Sequence, residues 1–233
     1  GRGRTRGVTI AWPPVMRLTV AGGGGRRVIG RPAGSVSCTV AKLGAGTDGN
    51  AGFWQSYMNG VEAANGIGPG TEDQVQAITE NGSAGQLVDN GDGTYAYTYA
   101  TDVTAVAGIE WQPELTHRAG FEIRGFVTID NPTYDWQPST GAVTNLFTRE
   151  IVSDAACNRC HDKLALHGGA RLQNRYCMTC HNPGSADAQS GNTVDMTVMT
   201  HRIHRGAGLP SVADGGEYAI WGFRDIKHDY SGV

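Results

Sequence analysis

Two pentapeptides define the chemistry open to this chain. Cys157-Asn158-Arg159-Cys160-His161 and Cys177-Met178-Thr179-Cys180-His181 each set two thiols three residues apart with an imidazole directly after them. That is the attachment signature of c-type haem, in which both thiols add across the vinyl groups and the histidine ligates the iron. The same cysteines also read as C-x₂-C-x₁₆-C-x₂-C, a spacing that suits a four-cysteine zinc site. Zinc has no use for a histidine after each pair, whereas haem attachment needs one both times. The expected cofactor is therefore haem c, two groups held covalently through Cys157, Cys160, Cys177 and Cys180.

His161 and His181 each fill one axial position, and the second is left for histidine, methionine or an open site. Five further histidines are present: His117, His167, His201, His204 and His228. His117 falls in a predicted strand far from both motifs and is expected to be structural. The other four all follow the first motif, in a histidine-poor chain, and are expected to ligate metal. His201 and His204 lie three apart on a predicted helix, so they project from one side and can serve two irons. His167 follows the first motif too closely to cap its own haem easily, and is expected to reach a neighbouring one. Met178, Met196 and Met199 are thioether candidates, but methionine more often fills core gaps, so bis-histidine coordination is expected.

Two segments of different character must position these groups. Residues 1–152 read as a mainly β domain, a sandwich or a small barrel. Val15–Val20 and Val36–Ala41 alternate as strands, and Ala142–Val152 supplies a last strand before the first motif. Asp89-Asn90-Gly91-Asp92-Gly93 is a turn joining Gln86–Val88 to Thr94–Tyr99, with Tyr95, Tyr97 and Tyr99 on one face. That turn lacks the closing glutamate of a calcium loop, since position 100 is alanine. His117–Ile129 alternates again, with Phe121, Ile123, Val127 and Ile129 in phase. Gly22–Gly25 is a loop without dinucleotide-binding spacing.

Residues 153–233 read as an irregular, haem-packed cytochrome c domain with short helices. Asn192-Thr193 caps a helix through Asp195–His204, and Gly206 closes it. So few aliphatic residues could not build an ordinary core, and haem would supply the apolar mass. Cys38, the odd cysteine, is expected to be a small buried hydrophobe. The histidine surplus, and an end at Val233 without a closing element, suggest the front part of a longer multihaem protein.

Glycine is abundant, with 35 of 233 residues, and the net charge of −3 offers no basic surface for nucleic acid beyond the cluster Arg2, Arg4 and Arg6. No apolar run is long enough to span a bilayer. Because c-type haem is attached outside the cytoplasm, the chain is expected to be exported.

The runs Cys157–His161, Leu164-Ala165-Leu166-His167-Gly168-Gly169, Tyr176–His181-Asn182-Pro183 and His201-Arg202-Ile203-His204-Arg205-Gly206 resemble the OmcA/MtrC family of outer-membrane decahaem c-type cytochromes. Gly46-Thr47-Asp48-Gly49, Leu87–Tyr97 and Leu115-Thr116-His117-Arg118 carry the likeness into the β half, so that it covers nearly all of the chain from Pro13. The resemblance implies a split β-barrel followed by a bis-histidine multihaem domain, located at the outer-membrane surface or outside the cell. Its partners would be other redox proteins or haem domains, and its acceptors iron or manganese oxides, flavins or electrodes. By motif, His161 and His181 match proximal ligands, while His167, His201 and His204, and more weakly His228, match distal positions. Two attachment motifs stand here where the family has ten, and the family's paired-cysteine motif in a β domain is absent.

The expected function is electron transfer by haem-to-haem hopping rather than substrate-specific catalysis, with metal reduction as its outward activity. The alternatives are a haem oxidoreductase with an open iron site and a zinc-stabilised β binding module.

Overall fold

A computed structural model describes residues 10–11, 15–19, 28–46, 52–125 and 130–233. The arginine cluster, Pro13, Val20, the Gly22–Gly25 loop, Thr47-Asp48-Gly49, Val127 and Ile129 lie outside the described residues. The first half forms β1 (Ile10–Ala11), β2 (Val15–Thr19), β3 (Val36–Gly44), β4 (Phe53–Ser56), β5 (Asn59–Glu62) and β6 (Gln74–Ala77). It continues through β7 (Glu80–Asn81), β8 (Gln86–Asp89), β9 (Thr94–Thr98), β10 (His117–Ile123) and β11 (Thr133–Trp136). One antiparallel sheet runs β1-β2-β9-β8, and a second runs β11-β10-β3-β4 with β7 also on β3. The second half holds α1 (Asp154–His161), α2 (Asn174–Cys177), α3 (Met196–Arg205), α4 (Pro210–Ala213) and the hairpin β12 (Ala219–Gly222) and β13 (Ile226–Asp229). A mainly β half followed by an irregular half with short helices is the architecture expected from the sequence.

The hairpin β8–β9 forms at the predicted turn. Asp89 Oδ1 accepts from Gly91 N at 2.8 Å, Asp92 Oδ1 accepts from Thr94 N at 2.9 Å, and Gly91 and Gly93 take positive φ. Tyr95, Tyr97 and Tyr99 turn inward together and join Val36, Cys38 and Val40 of β3 and Ala119, Phe121 and Ile123 of β10 in one core. Cys38 lies opposite Phe121 and is fully buried.

The sequence alternation in β10 predicts one solvated face, yet every residue from His117 to Ile123 is buried. The second half covers that face. Arg118 and Ala41 are register partners, as are Gly120 and Thr39, so these residues line one outer surface with Leu43 and Trp54 further along. Met178 and Met196 pack onto Ala41, Leu43 and Trp54 to make a second core. Burial of each such side chain stabilises the joint by roughly 1.5–3 kcal/mol. A Cβ on Gly120 would come within 2.6 Å of the Tyr176 ring, so only glycine permits this close approach.

Three sequence expectations need correction. Ala142–Val152 is not a strand, and only Ala142 makes a bridge, to Gln137. Asn145 takes positive φ, and the segment's groups serve side chains instead of a ladder. Thr116 Oγ1 donates to Phe147 O, Trp54 Nε1 donates to Arg149 O, and Arg175 pairs with Glu150. The cap of α3 is Asp195, whose Oδ1 accepts from the amides of Thr197 and Val198, each at 3.1 Å; Thr193 only braces the Asp195 amide. The hairpin β12–β13 adds two paired strands to a half read as irregular with short helices. Among the described residues, no helix is long and apolar enough to cross a membrane.

Candidate functional site

Each motif is wound into a single helical turn. Ser153 caps α1 by accepting from Ala156 N, and α1 carries Cys157, Cys160 and His161 on one side at i, i+3 and i+4. In the second motif, Cys180 N and His181 N both donate to Cys177 O, at 3.1 and 2.8 Å, which repeats the geometry just past α2. The two turns are tied together. Asp154 Oδ1 accepts from Asn174 N at 2.6 Å, and Asn174 Nδ2 lies 3.3 Å from Cys157 Sγ.

Their surroundings differ. Cys160 and His161 are exposed, whereas Cys180 is buried and the second turn sits on the β3–β10 surface through Thr179 Oγ1, 2.9 Å from Thr39 Oγ1. Burial pushes the Cys177 thiol up to about 12 and raises Cys180 as well, so both are neutral. Burial, and after it the charge of Arg171, brings His167 down to about 4; burial also lowers His181 against the pull of its bond to Val194 O. Neutral imidazole is the form that binds metal.

Each motif histidine faces one histidine from elsewhere in the chain. His161 faces His204 of α3 with ring centroids 5.9 Å apart and planes at 80°. His181 faces His167 at 5.9 Å and 49°. Two metal–imidazole bonds of about 2 Å and two ring radii of roughly 1 Å come to ~6 Å, so each pair has the separation that two imidazoles holding one iron would need. His181 Nδ1 lies 2.9 Å from Val194 O, and His204 Nδ1 lies 2.8 Å from Thr200 O. An Nδ1–H donated to a carbonyl leaves Nε2 as the free lone pair and fixes the ring. His167 is offered from a tight loop closed by reciprocal Leu166 and Arg171 backbone bonds, with φ of 50° at His167 and positive φ at Gly168 and Gly169.

The remaining predicted ligands stand apart. His201 is exposed on α3 and meets neither pair. His228, exposed in β13 opposite Ile220, lies over Gly222. His117 is buried in the β half, with Nε2 2.9 Å from the Tyr57 hydroxyl and its ring against Trp111 and Trp136. Among the described residues, no three His, Cys, Asp or Glu side chains converge as a metal cage.

The donor set thus fits haem c: two thiols and a histidine on each turn, and a second imidazole facing each histidine. Two buried atoms beside the second turn, Asn174 Oδ1 and Tyr176 Oη, have no hydrogen-bond partner among the described residues, as suits a surface completed by another group. Sequence reasoning missed the supporting charges around that turn. Arg118, fully buried, pairs with Asp135 at 2.7 Å and stacks 4.1 Å over Trp54, while Arg171 pairs with the buried Glu122 at 2.7 Å. Arg118 and Glu122 occupy the polar positions of an alternating strand, where a sequence pattern reads solvent.

Residues 33–143 match the OmcA-like N-terminal domain, and residues 149–228 match domains II/IV of the MtrC/MtrF-like outer membrane cytochromes. The multiheme cytochrome MtrC of Shewanella baltica (strain OS185) is 32% identical over 180 residues, which are 72% of this chain and 24% of that protein. The crystal structure of the outer membrane decaheme cytochrome OmcA superposes with a TM-score of 0.86 and 29% identity, over 100% of this chain and 37% of that one. The crystal structure of MtrC from Shewanella baltica OS185 gives 0.65 and 26%, over 91% and 33%. The chain spans about a quarter of the length of the curated relative it matches.

Proposed function

The chain belongs to the OmcA/MtrC family of outer-membrane cytochromes, and we propose that it carries electrons toward acceptors outside the cell through two covalently held haem c groups. Residues 1–152 would form the β domain and residues 153–233 the haem-bearing domain. Cys157 and Cys160 would hold one group together with His161 and His204, and Cys177 and Cys180 would hold the other together with His181 and His167. Bound there, haem c supplies one-electron iron(III)/iron(II) chemistry without proton transfer.

Two facing histidine pairs at axial span, each including one motif histidine, carry this reading. Filled axial positions favour outer-sphere transfer over substrate binding at iron. The chain's own work is then to fix spacing and surroundings. The Asp154–Asn174 bond keeps the two attachment turns adjacent, which suits hopping between them, and the sheet surface excludes water from the second. The exposed first turn suits exchange with a redox partner. Iron or manganese oxides, flavins and electrodes are the proposed acceptors, other cytochromes the proposed partners, and the outer-membrane surface or the extracellular space the proposed location, after haem attachment in the periplasm.

Rapid mixing tests this function. The haem-loaded chain, reduced under argon, should lose its α band on mixing with a soluble ferric chelate, and again with oxidised flavin. A reduced α band that persists through both would remove electron delivery as the function.

A further inference from the structure

One buried charge pair beside the second attachment turn is not used in holding a cofactor. Arg171 closes the loop that presents His167, through the Leu166–Arg171 backbone bonds, so its side chain starts at the base of that ligand loop. Its guanidinium lies 5.8 Å from the ring centre of Tyr176, the residue directly before Cys177. The cation is thus wedged between the loop carrying His167 and the turn carrying Cys177, Cys180 and His181. Glu122 of β10 holds it there, with Arg171 Nε donating to Glu122 Oε2 at 2.7 Å. The Glu122 side chain is 1% exposed and that of Arg171 18%, while Arg124, on the other carboxylate oxygen, is 53% exposed.

We propose that Arg171 sets the reduction potential of the centre between His167 and His181, with Glu122 as the counter-charge that positions and moderates it; this rests on the two-haem reading above. Reduction adds one electron and no proton, so the centre becomes less positive by one charge. A fixed cation nearby repels the oxidised state more than the reduced one and raises the potential, and a fixed anion does the reverse. Solvent screens such effects at the surface and much less in a covered site. His161, His204 and His167 are exposed, while Met178, Thr179 and Cys180 of the second turn are buried against the sheet, so a charge beside that turn is screened less than one beside the first. Arg171 therefore raises the potential of the second centre and Glu122 draws it back, a control that the first centre does not share.

Redox titration of the haem-loaded chain, followed by electron paramagnetic resonance, reads the two centres separately because their ligand planes differ in angle. Arg171→Gln should lower the potential of the His167/His181 signal, Glu122→Gln should raise it, and Arg171→Lys should leave it near that of the parent. The His161/His204 signal should hold in all three. Shifts of the same sign in Arg171→Gln and Glu122→Gln would mean general loosening and would overturn the proposal, as would no shift in either. Should Arg171→Gln fail to load its second haem, Glu122→Gln and Arg171→Lys still decide the sign. Intact mass separates the two levels of failure: a parent chain with no haem on Cys177 and Cys180 sinks the underlying reading, whereas two haems with unshifted potentials sink only the tuning role.

Discussion

His204 places its imidazole 5.9 Å from that of His161 with the two planes nearly perpendicular, at 80°. The contact joins the last turn of α3 to the last residue of α1, and it depends on the Thr200 carbonyl that orients the His204 ring. Its counterpart, His167 with His181, has the same separation and a smaller angle of 49°.

These pairings predict which substitutions open which iron. Perpendicular imidazole planes leave the iron dπ orbitals nearly degenerate, so the His161/His204 centre should give the more anisotropic low-spin signal. His204→Ala should abolish that signal alone and admit carbon monoxide to one reduced haem per chain. His167→Ala should do the same to the other signal. His201→Ala and His228→Ala should leave both intact, and loss of a low-spin signal in either would reassign the ligands.

Asp135 offsets a fully buried cation. It accepts from Arg118 Nε and Nη2 at 2.7 and 2.8 Å, and from Arg175 of α2 at 2.7 Å. Asp135→Asn should cost roughly 3–5 kcal/mol, because it leaves Arg118 uncompensated. A urea titration followed by far-ultraviolet circular dichroism measures this directly.

Gly120→Ala would drive a methyl to within 2.6 Å of the Tyr176 ring and 2.8 Å of Thr39 Oγ1. Overpacking of this kind costs about 1–3 kcal/mol. The strain falls where the second attachment turn rests on the sheet, so the variant should load its second haem less completely than its first, as read by intact mass.

His117 makes stability depend on pH. Burial is the main cause that lowers its pKa to about 4, against 6.5 for the free side chain. Between those values the unfolded chain takes up a proton that the folded chain refuses, so the contribution is complete above pH 6.5 and is lost as the pH falls toward 4. The full shift corresponds to roughly 3 kcal/mol. Chemical denaturation at pH 7 and pH 4.5 should show a smaller loss for His117→Gln than for the parent chain; equal losses would place the proton elsewhere.

Much of the site could be read directly from residue spacing, because a thioether-forming motif is local: Cys157, Cys160 and His161 fall on one helical turn wherever that turn is placed. The β8–β9 hairpin was legible for the same reason, since Asp89, Gly91 and Asp92 build the turn themselves. Long-range features were not. Arg118 and Glu122 look solvated until the second half of the chain covers their strand. Ala142–Val152 carries a strand-like composition but meets no partner edge. His201 and His204 are equivalent on a helix, and only the position of α1 makes His204 the one that faces His161. His228 looked like one more ligand, and its strand pairing sets it apart from both facing pairs.

The most direct measurement is the denatured intact mass of the chain, expressed with a haem-attachment system, beside its visible spectrum. The expected result is a mass above the polypeptide by two haems, with low-spin Soret and α bands on reduction. A colourless protein at the bare polypeptide mass would contradict it.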